Sequence, residues 1–179
     1  MPADARLNRL AWAPAAGPRP LHGLTHLHRE TMVSEPLDRT FAFFSDAANL
    51  ERLTPPWLNF RIVTPPPIVM REGTLIDYRI VLHGFPIPWR TRIDVWEPGV
   101  RFVDRQTIGP YRWWHHEHRF EEVAGGTRVI DDVEFVPRMR WVSGWMVHRD
   151  VERIFAYRQE TLPRFFGSGA ATTADTGGR

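Results

Sequence analysis

The chain has 179 residues, 42% hydrophobic and 25% charged, which suits one globular domain able to bury most of its apolar surface. Its formal net charge is +2, and all 23 basic residues are arginines interleaved with Asp and Glu, so no basic stripe marks a nucleic-acid partner and no lysine can form a Schiff base. With no cysteine, disulfides, thiolate metal clusters and thiol nucleophiles are excluded, and no apolar run approaches the ~20 residues of a membrane span.

Residues 1–22 are rich in Ala, Pro and Arg and lack the apolar segment of a secretion signal, which predicts a flexible leader on a cytoplasmic protein. The ordered domain is expected over 23–166, followed by a small, polar, disordered tail at 167–179. The first element is a strand at about 24–33, LTHLHRETMV. Ser34 then offers an N-cap, with Pro36 just inside a helix that carries Leu37, Phe41 and Phe44 on one side. A second short helix, DAANLERL, starts near Asp46 and stops before Pro55 and Pro56; an extended stretch follows at 60–63.

From there the pattern is strand after strand. TLIDYRIVLH and WRTRIDVWE alternate apolar with charged residues, Glu97-Pro98-Gly99 turns into RFVDRQTI, and Gly109-Pro110 turns into YRWWHHEHRF. Gly125-Gly126 then makes a hairpin into TRVIDDVEF. Tight Gly/Pro turns between strands of this length describe an antiparallel meander with one buried face. A long helix closes the chain from about Val142 to Phe166, with Val147, Val151, Ile154, Phe155, Leu162 and Phe165 at helical spacing. Such a helix belongs across the concave face of a curved sheet. The fold class is α+β: seven antiparallel strands, two short helices and the long C-terminal helix.

This element order, with the stretches NLERLTPPWLNFRI, GTLIDYRIVLHG, GPYRWWHHEHRF and GGTRVIDDVEF, resembles the START-like (SRPBCC) superfamily and its helix-grip fold, over about residues 24–166. The stretches are similar to a bacterial branch related to polyketide cyclase/dehydrase and coenzyme Q-binding proteins. The resemblance implies an apolar cavity between sheet and C-terminal helix that holds a hydrophobic small molecule. No catalytic motif of the aromatic polyketide cyclases matches position by position.

The residues add their own reading. Every second side chain faces the same side of a strand. The inward set is therefore Ile76, Tyr78, Ile80, Leu82, Trp89, Thr91, Ile93, Val95, Phe102, Asp104, Gln106, Trp114, His116, His118, Phe120, Val129, Asp131, Val133 and Phe135. Asp104, Gln106, His116, His118 and Asp131 are the polar exceptions, and burying each without a partner would cost about 1–3 kcal/mol. They are expected to be satisfied by one another or by a ligand, in the manner of an apolar pocket with a few convergent polar groups.

In one register of the Gly125-Gly126 hairpin, His118 lies beside Asp131. That carboxylate would raise the imidazole pKa and desolvation would lower it. The pair suits a structural hydrogen bond, a ligand-orienting role or acid/base work, so the catalytic candidates are His116, His118 and Asp131. The ligand-binding candidates are Tyr78, Trp89, Asp104, Gln106, Trp114, His116, His118 and Phe155. His116-x-His118 could also converge on a metal with Asp104, Asp131 or Glu134 as third ligand, although Glu134 falls on the other face. The spacing alone is a weak signal, and neither metal nor cofactor is expected.

His115 and Trp113 alternate to the outside, His115 as a solvated residue and Trp113 as cover for the outer face. Trp57 and the group Trp141, Trp145 and Met146 suit either ordinary packing or a gate at a cavity mouth. Arg158 falls near the helix's apolar stripe, where it can reach an anionic ligand, with a surface salt bridge as its ordinary use. There is no G-x-S-x-G, Walker loop or dinucleotide fingerprint. The expectation is a binder of an aromatic, isoprenoid or polyketide-like molecule, with a cyclase/dehydratase-like enzyme as the alternative. It would be a monomer or homodimer with no nucleic-acid partner and no stable membrane insertion.

Overall fold

The structure, a computed structural model, describes residues 22–138 and 144–166. The expected leader at 1–22 except for His22, the tail at 167–179, Trp141 and the helix start at Val142 lie outside the described residues. The elements run β1 (Thr25–Val33), α1 (Leu37–Ser45), α2 (Ala48–Leu53), a 3-10 turn (Pro56–Leu58), β2 (Arg61–Ile62), β3 (Leu75–Leu82), β4 (Phe85–Glu97), β5 (Arg101–Ile108), β6 (Tyr111–Val123), β7 (Gly126–Pro137) and α3 (Gly144–Phe166). The seven strands form one antiparallel sheet in the order β1-β7-β6-β5-β4-β3-β2. The chain is thus a meander from β2 to β7, with β1 laid against the last strand. Among the described residues no helix is long and apolar enough to cross a membrane.

Local chemistry accounts for the corners. The β6–β7 hairpin closes with Val123 opposite Gly126, and Gly125 takes a φ of +86° that a side chain would resist. Gly126 is pressed against β1, where an added Cβ would stand 2.0 Å from the Val33 carbonyl oxygen. The first helix departs from the expected cap. Pro36 flanks it with ψ of 153°, which is extended backbone, so the helix begins one residue later and no side chain caps it. The Pro36 carbonyl instead accepts the Thr40 N–H at 3.0 Å.

Alternation alone places Val95 inward. A β-bulge between Ile93 and Val95 sends it to the outer face, opposite Val103, and brings Trp96 inside. The Trp96 ring then packs on Phe41 at 5.3 Å and Phe102 at 5.5 Å.

The long helix presents Val151, Phe155, Arg158 and Leu162 to the sheet, all buried. The apolar interior falls into two clusters. One joins Leu27, Phe60, Ile80, Trp89, Tyr111, Val133, Phe135, Val151 and Phe155. The other joins Val33, Phe41, Phe44, Leu53, Phe102, Phe120, Val129 and Leu162. Between them runs a polar seam.

Candidate functional site

The seam is built by register. The β5–β6 pairing sets Asp104 opposite His116 and Phe102 opposite His118, while β6–β7 sets His118 opposite Asp131 and His116 opposite Val133. Both imidazoles therefore stand between two carboxylates, one from each neighbouring strand. His116 places Nε2 2.9 Å from Asp131 Oδ1 in a hydrogen bond, and Nδ1 3.3 Å from Asp104 Oδ2. His118 places Nε2 3.2 Å from Asp104 Oδ2 in a hydrogen bond, and Nδ1 2.8 Å from Asp131 Oδ1 at an angle outside hydrogen-bonding range. The two rings lie 3.7 Å apart, with His116 against Phe155 and His118 against Phe44 and Phe102.

The helix supplies the fifth member. Arg158 is 8% exposed, with NH1 3.9 Å from Asp131 Oδ1 and its guanidinium over Phe44 and Phe155 at 5.3 and 5.9 Å. Its Nε has no hydrogen-bond partner among the described residues. The expected surface salt bridge is replaced by a buried one, because positions 151, 155, 158 and 162 share the stripe that meets the sheet.

Charge explains how five such groups coexist. Burial opposes ionisation of Asp104, but the charge and hydrogen bonds of His116 and then His118 hold its pKa below the ordinary carboxylate value. Burial likewise opposes ionisation of Asp131, and the Arg158 charge and both histidines hold its pKa far down. Two carboxylates against one guanidinium leave room for one more cation. Burial lowers the His116 pKa, yet the charge and hydrogen bond of Asp104, followed by Asp131, raise it overall. For His118, burial and the charge on His116 prevail over the two carboxylates, and its pKa falls. One proton on the pair makes the cluster neutral, which is what a low-dielectric interior favours.

A pocket of about 170 Å³ opens beside this cluster. Tyr78, Trp89, Trp114 and Phe155 form apolar wall, and Asp104, His116, His118 and Arg158 form its polar pole. Trp89 stacks on Tyr78 at 5.8 Å and meets Trp114 edge-on at 5.2 Å. The Trp89 Nε1–H donates to Thr91 Oγ1 at 3.1 Å, and the Tyr78 hydroxyl shares that oxygen at 2.9 Å. Burial and the nearby Asp104 charge push the Tyr78 pKa well above its usual value, so its hydroxyl stays protonated.

Not every candidate reaches the pocket. Asp131 sits behind the histidines and is not in the wall. Gln106 is buried, but its amide spans the Gly109-Pro110 turn, donating to the Tyr111 carbonyl at 2.8 Å and accepting the Tyr111 N–H at 3.3 Å. Trp57 lines a neighbouring recess with His83, Asp150 and Arg153, and packs on Tyr157 at 5.5 Å. Trp145 is exposed beneath the Arg149 guanidinium. His115 is on the outer face as alternation requires, but it is 0% exposed rather than solvated, stacked on Trp113 at 6.3 Å. Glu117 and Glu134 are buried there as well.

The fold, rather than the site, is shared with solved structures. The chain superposes on the Zhui aromatase/cyclase from Streptomyces sp. R1128 with a TM-score of 0.67 at 16% identity, covering 84% of this chain and 98% of that one. A START superfamily protein from Mycobacterium smegmatis gives a TM-score of 0.64 at 10% identity, with 79% and 97% covered. Ara h 8.0201 gives 0.60 at 17% identity, with 82% and 99% covered. At these identities the likeness shows the fold, and this chain has the START-like helix-grip fold. No curated protein shows significant sequence similarity to it. Residues 72–166, the span from the approach to β3 through the end of α3, match the family described as "Domain of unknown function (DUF8410)", and the chain belongs to that family.

Proposed function

We propose that the chain binds a hydrophobic small molecule, aromatic, isoprenoid or polyketide-like, between the sheet and α3. The observation that carries this is the polarity of the pocket. Its lining includes the aromatic rings of Tyr78, Trp89, Trp114 and Phe155, and Asp104, His116, His118 and Arg158 enter it as one cluster, with Asp46 and Asp150 as further acidic lining. Rings would be buried against the wall, at ~25 cal/mol per Å² of apolar surface before the costs of association. An acidic or hydrogen-bonding end would meet Arg158, whose Nε is buried without a hydrogen-bond partner among the described residues. The likeness to a START superfamily protein supports the same reading.

Native mass spectrometry of protein extracted with organic solvent, then mixed with 2-naphthoate, tests it. A one-to-one complex that quenches tryptophan emission is expected, and Arg158→Met should weaken it at least tenfold while 2-methylnaphthalene binds as before. If neither compound binds at any soluble concentration, and nothing lipophilic co-purifies, the reading fails.

A second reading has one observation in its favour: the imidazole of His118 forms part of the pocket wall, hydrogen-bonded to Asp104. In a cyclase- or dehydratase-like enzyme, as the name of the Streptomyces neighbour suggests, His118 would move a proton while the wall holds a polyketide-like chain folded. His118→Ala would then abolish turnover and spare affinity, whereas a carrier has no turnover to lose.

A further inference from the structure

His116 and His118 turn different atoms toward Asp104, and that difference suggests more than a hydrogen-bond network. His116 presents Nδ1 and His118 presents Nε2 to one oxygen, Asp104 Oδ2, at 3.3 and 3.2 Å. One ligand atom from each of Asp104, His116 and His118 lies within 4.8 Å of the other two. The edge of a tetrahedron around zinc with bonds of 2.0–2.1 Å is about 3.3 Å, so both histidine–carboxylate edges already have the length that an ion requires.

The rear of each ring fits the same purpose. The remaining nitrogens, His116 Nε2 and His118 Nδ1, lie 2.9 and 2.8 Å from Asp131 Oδ1. A carboxylate behind a ligating imidazole fixes its tautomer and raises its basicity. Asp131 hydrogen-bonds His116 in this way and stands 2.8 Å behind His118 Nδ1 without a hydrogen-bonding angle. The three forward residues line the pocket and Asp131 does not, so a coordination position is left facing the pocket.

We propose that His116 Nδ1, His118 Nε2 and Asp104 Oδ2 form a site for a divalent cation of zinc type, open on its pocket side. Two imidazoles and one carboxylate suit a borderline ion rather than calcium or magnesium, which prefer all-oxygen shells. Asp131 is a positioning residue. With both imidazoles neutral, the ion, Arg158 and the two carboxylates sum to a single positive charge, which an anionic oxygen in the open position would cancel. The site does not depend on the lipophilic-ligand reading, since zinc alone is its probe and no lipophilic compound enters its test.

The test is titration of zinc sulfate into untagged, chelator-stripped protein by calorimetry. One equivalent per chain is expected. His118→Ala and Asp104→Asn should each bind at least tenfold more weakly, and Asp131→Asn 10- to 100-fold more weakly, while His28→Ala binds as wild type. No stoichiometric binding by the wild type, or loss in His28→Ala with retention in the two ligand variants, overturns the proposal. Wild-type protein gives a second readout that no misfolded variant can confuse: histidine ring ¹⁵N spectra. On adding zinc, Nδ1 of His116 and Nε2 of His118 should move as ligated nitrogens while their partners stay protonated. Shifts confined to the rings of His26 and His28 would refute the assignment.

Discussion

Asp131 and Asp132 are neighbours on β7 that face opposite sides of the sheet, and each gathers two histidines spaced one residue apart on an adjoining strand. Asp131 faces inward, to His116 and His118 of β6. Asp132 faces outward, to His26 Nε2 at 3.1 Å and His28 Nδ1 at 2.8 Å on β1, and it accepts from Arg119 at 2.7 Å. The connectivity is nearly the same but the surroundings are not. The outer histidine side chains are 48% and 45% exposed, the inner ones 5% and 4%. Water can re-solvate the outer group when a partner is lost. The inner group has only its own members and whatever enters the pocket. A motif seen twice in one sheet therefore acquires its chemistry from burial.

The largest effect should separate the two aspartates. Asp131→Ala leaves Arg158 buried without its counter-ion and both imidazoles with Asp104 alone, and should cost about 3–5 kcal/mol of unfolding free energy. Asp132→Ala should cost about 1 kcal/mol, because two of its partners are half in water. Equal losses in urea melts would break the comparison. Salt sharpens it at intermediate size. Raising sodium chloride from 0.05 to 1 M shortens the screening length from above 10 Å to about 3 Å. The Asp132→Ala penalty should shrink by about half, and the Asp131→Ala penalty should hold.

The smallest effect is a pH dependence on the outer side. The His28 pKa is raised, chiefly by its hydrogen bond to Asp132, with burial opposing and the Asp132 charge and Glu30 adding to it. A raised folded-state value gives stability that is complete below the unfolded histidine pKa of about 6.5 and fades as pH climbs past the folded one. The difference in melting temperature between wild type and His28→Ala should be larger at pH 5.5 than at pH 9, and a difference that grows with pH would reverse the sign.

Much of this was legible in the residues because strands have a strict period. Alternation along 111–120 put Trp114, His116, His118 and Phe120 on one face, and the short Gly125-Gly126 turn made the His118–Asp131 pairing a natural register. Other links needed facts that alternation does not contain. Asp104 can bridge both imidazoles only because β5 meets β6 with Asp104 opposite His116, a register that the short Gly109-Pro110 turn does not dictate, since the pairing starts only at Arg105 and His115. Gln106 looked inward and instead ties that turn to Tyr111. Arg158 looked peripheral because its place on α3 depends on how that helix is rotated about its axis, which is settled by the docking that buries Val151, Phe155 and Leu162 with it. His115 looked solvated because period-two reasoning assigns a side, and a side is not a degree of burial.

The extra residue at the β4 bulge has a consequence for how this fold can drift in length. Between Ile93 and Val95 the strand carries one residue more than β5 opposes, since Ile93 meets Asp104 and Val95 meets Val103. Excising Asp94 would leave Trp96 on the side it now occupies and give up the carboxylate grip on Arg105 at 2.6 Å. In a regular stretch of the same sheet, one lost residue would swap interior for exterior from there to the strand end. Asp94 is thus a removable spacer, where descendants of this chain can shorten by one without turning inside out.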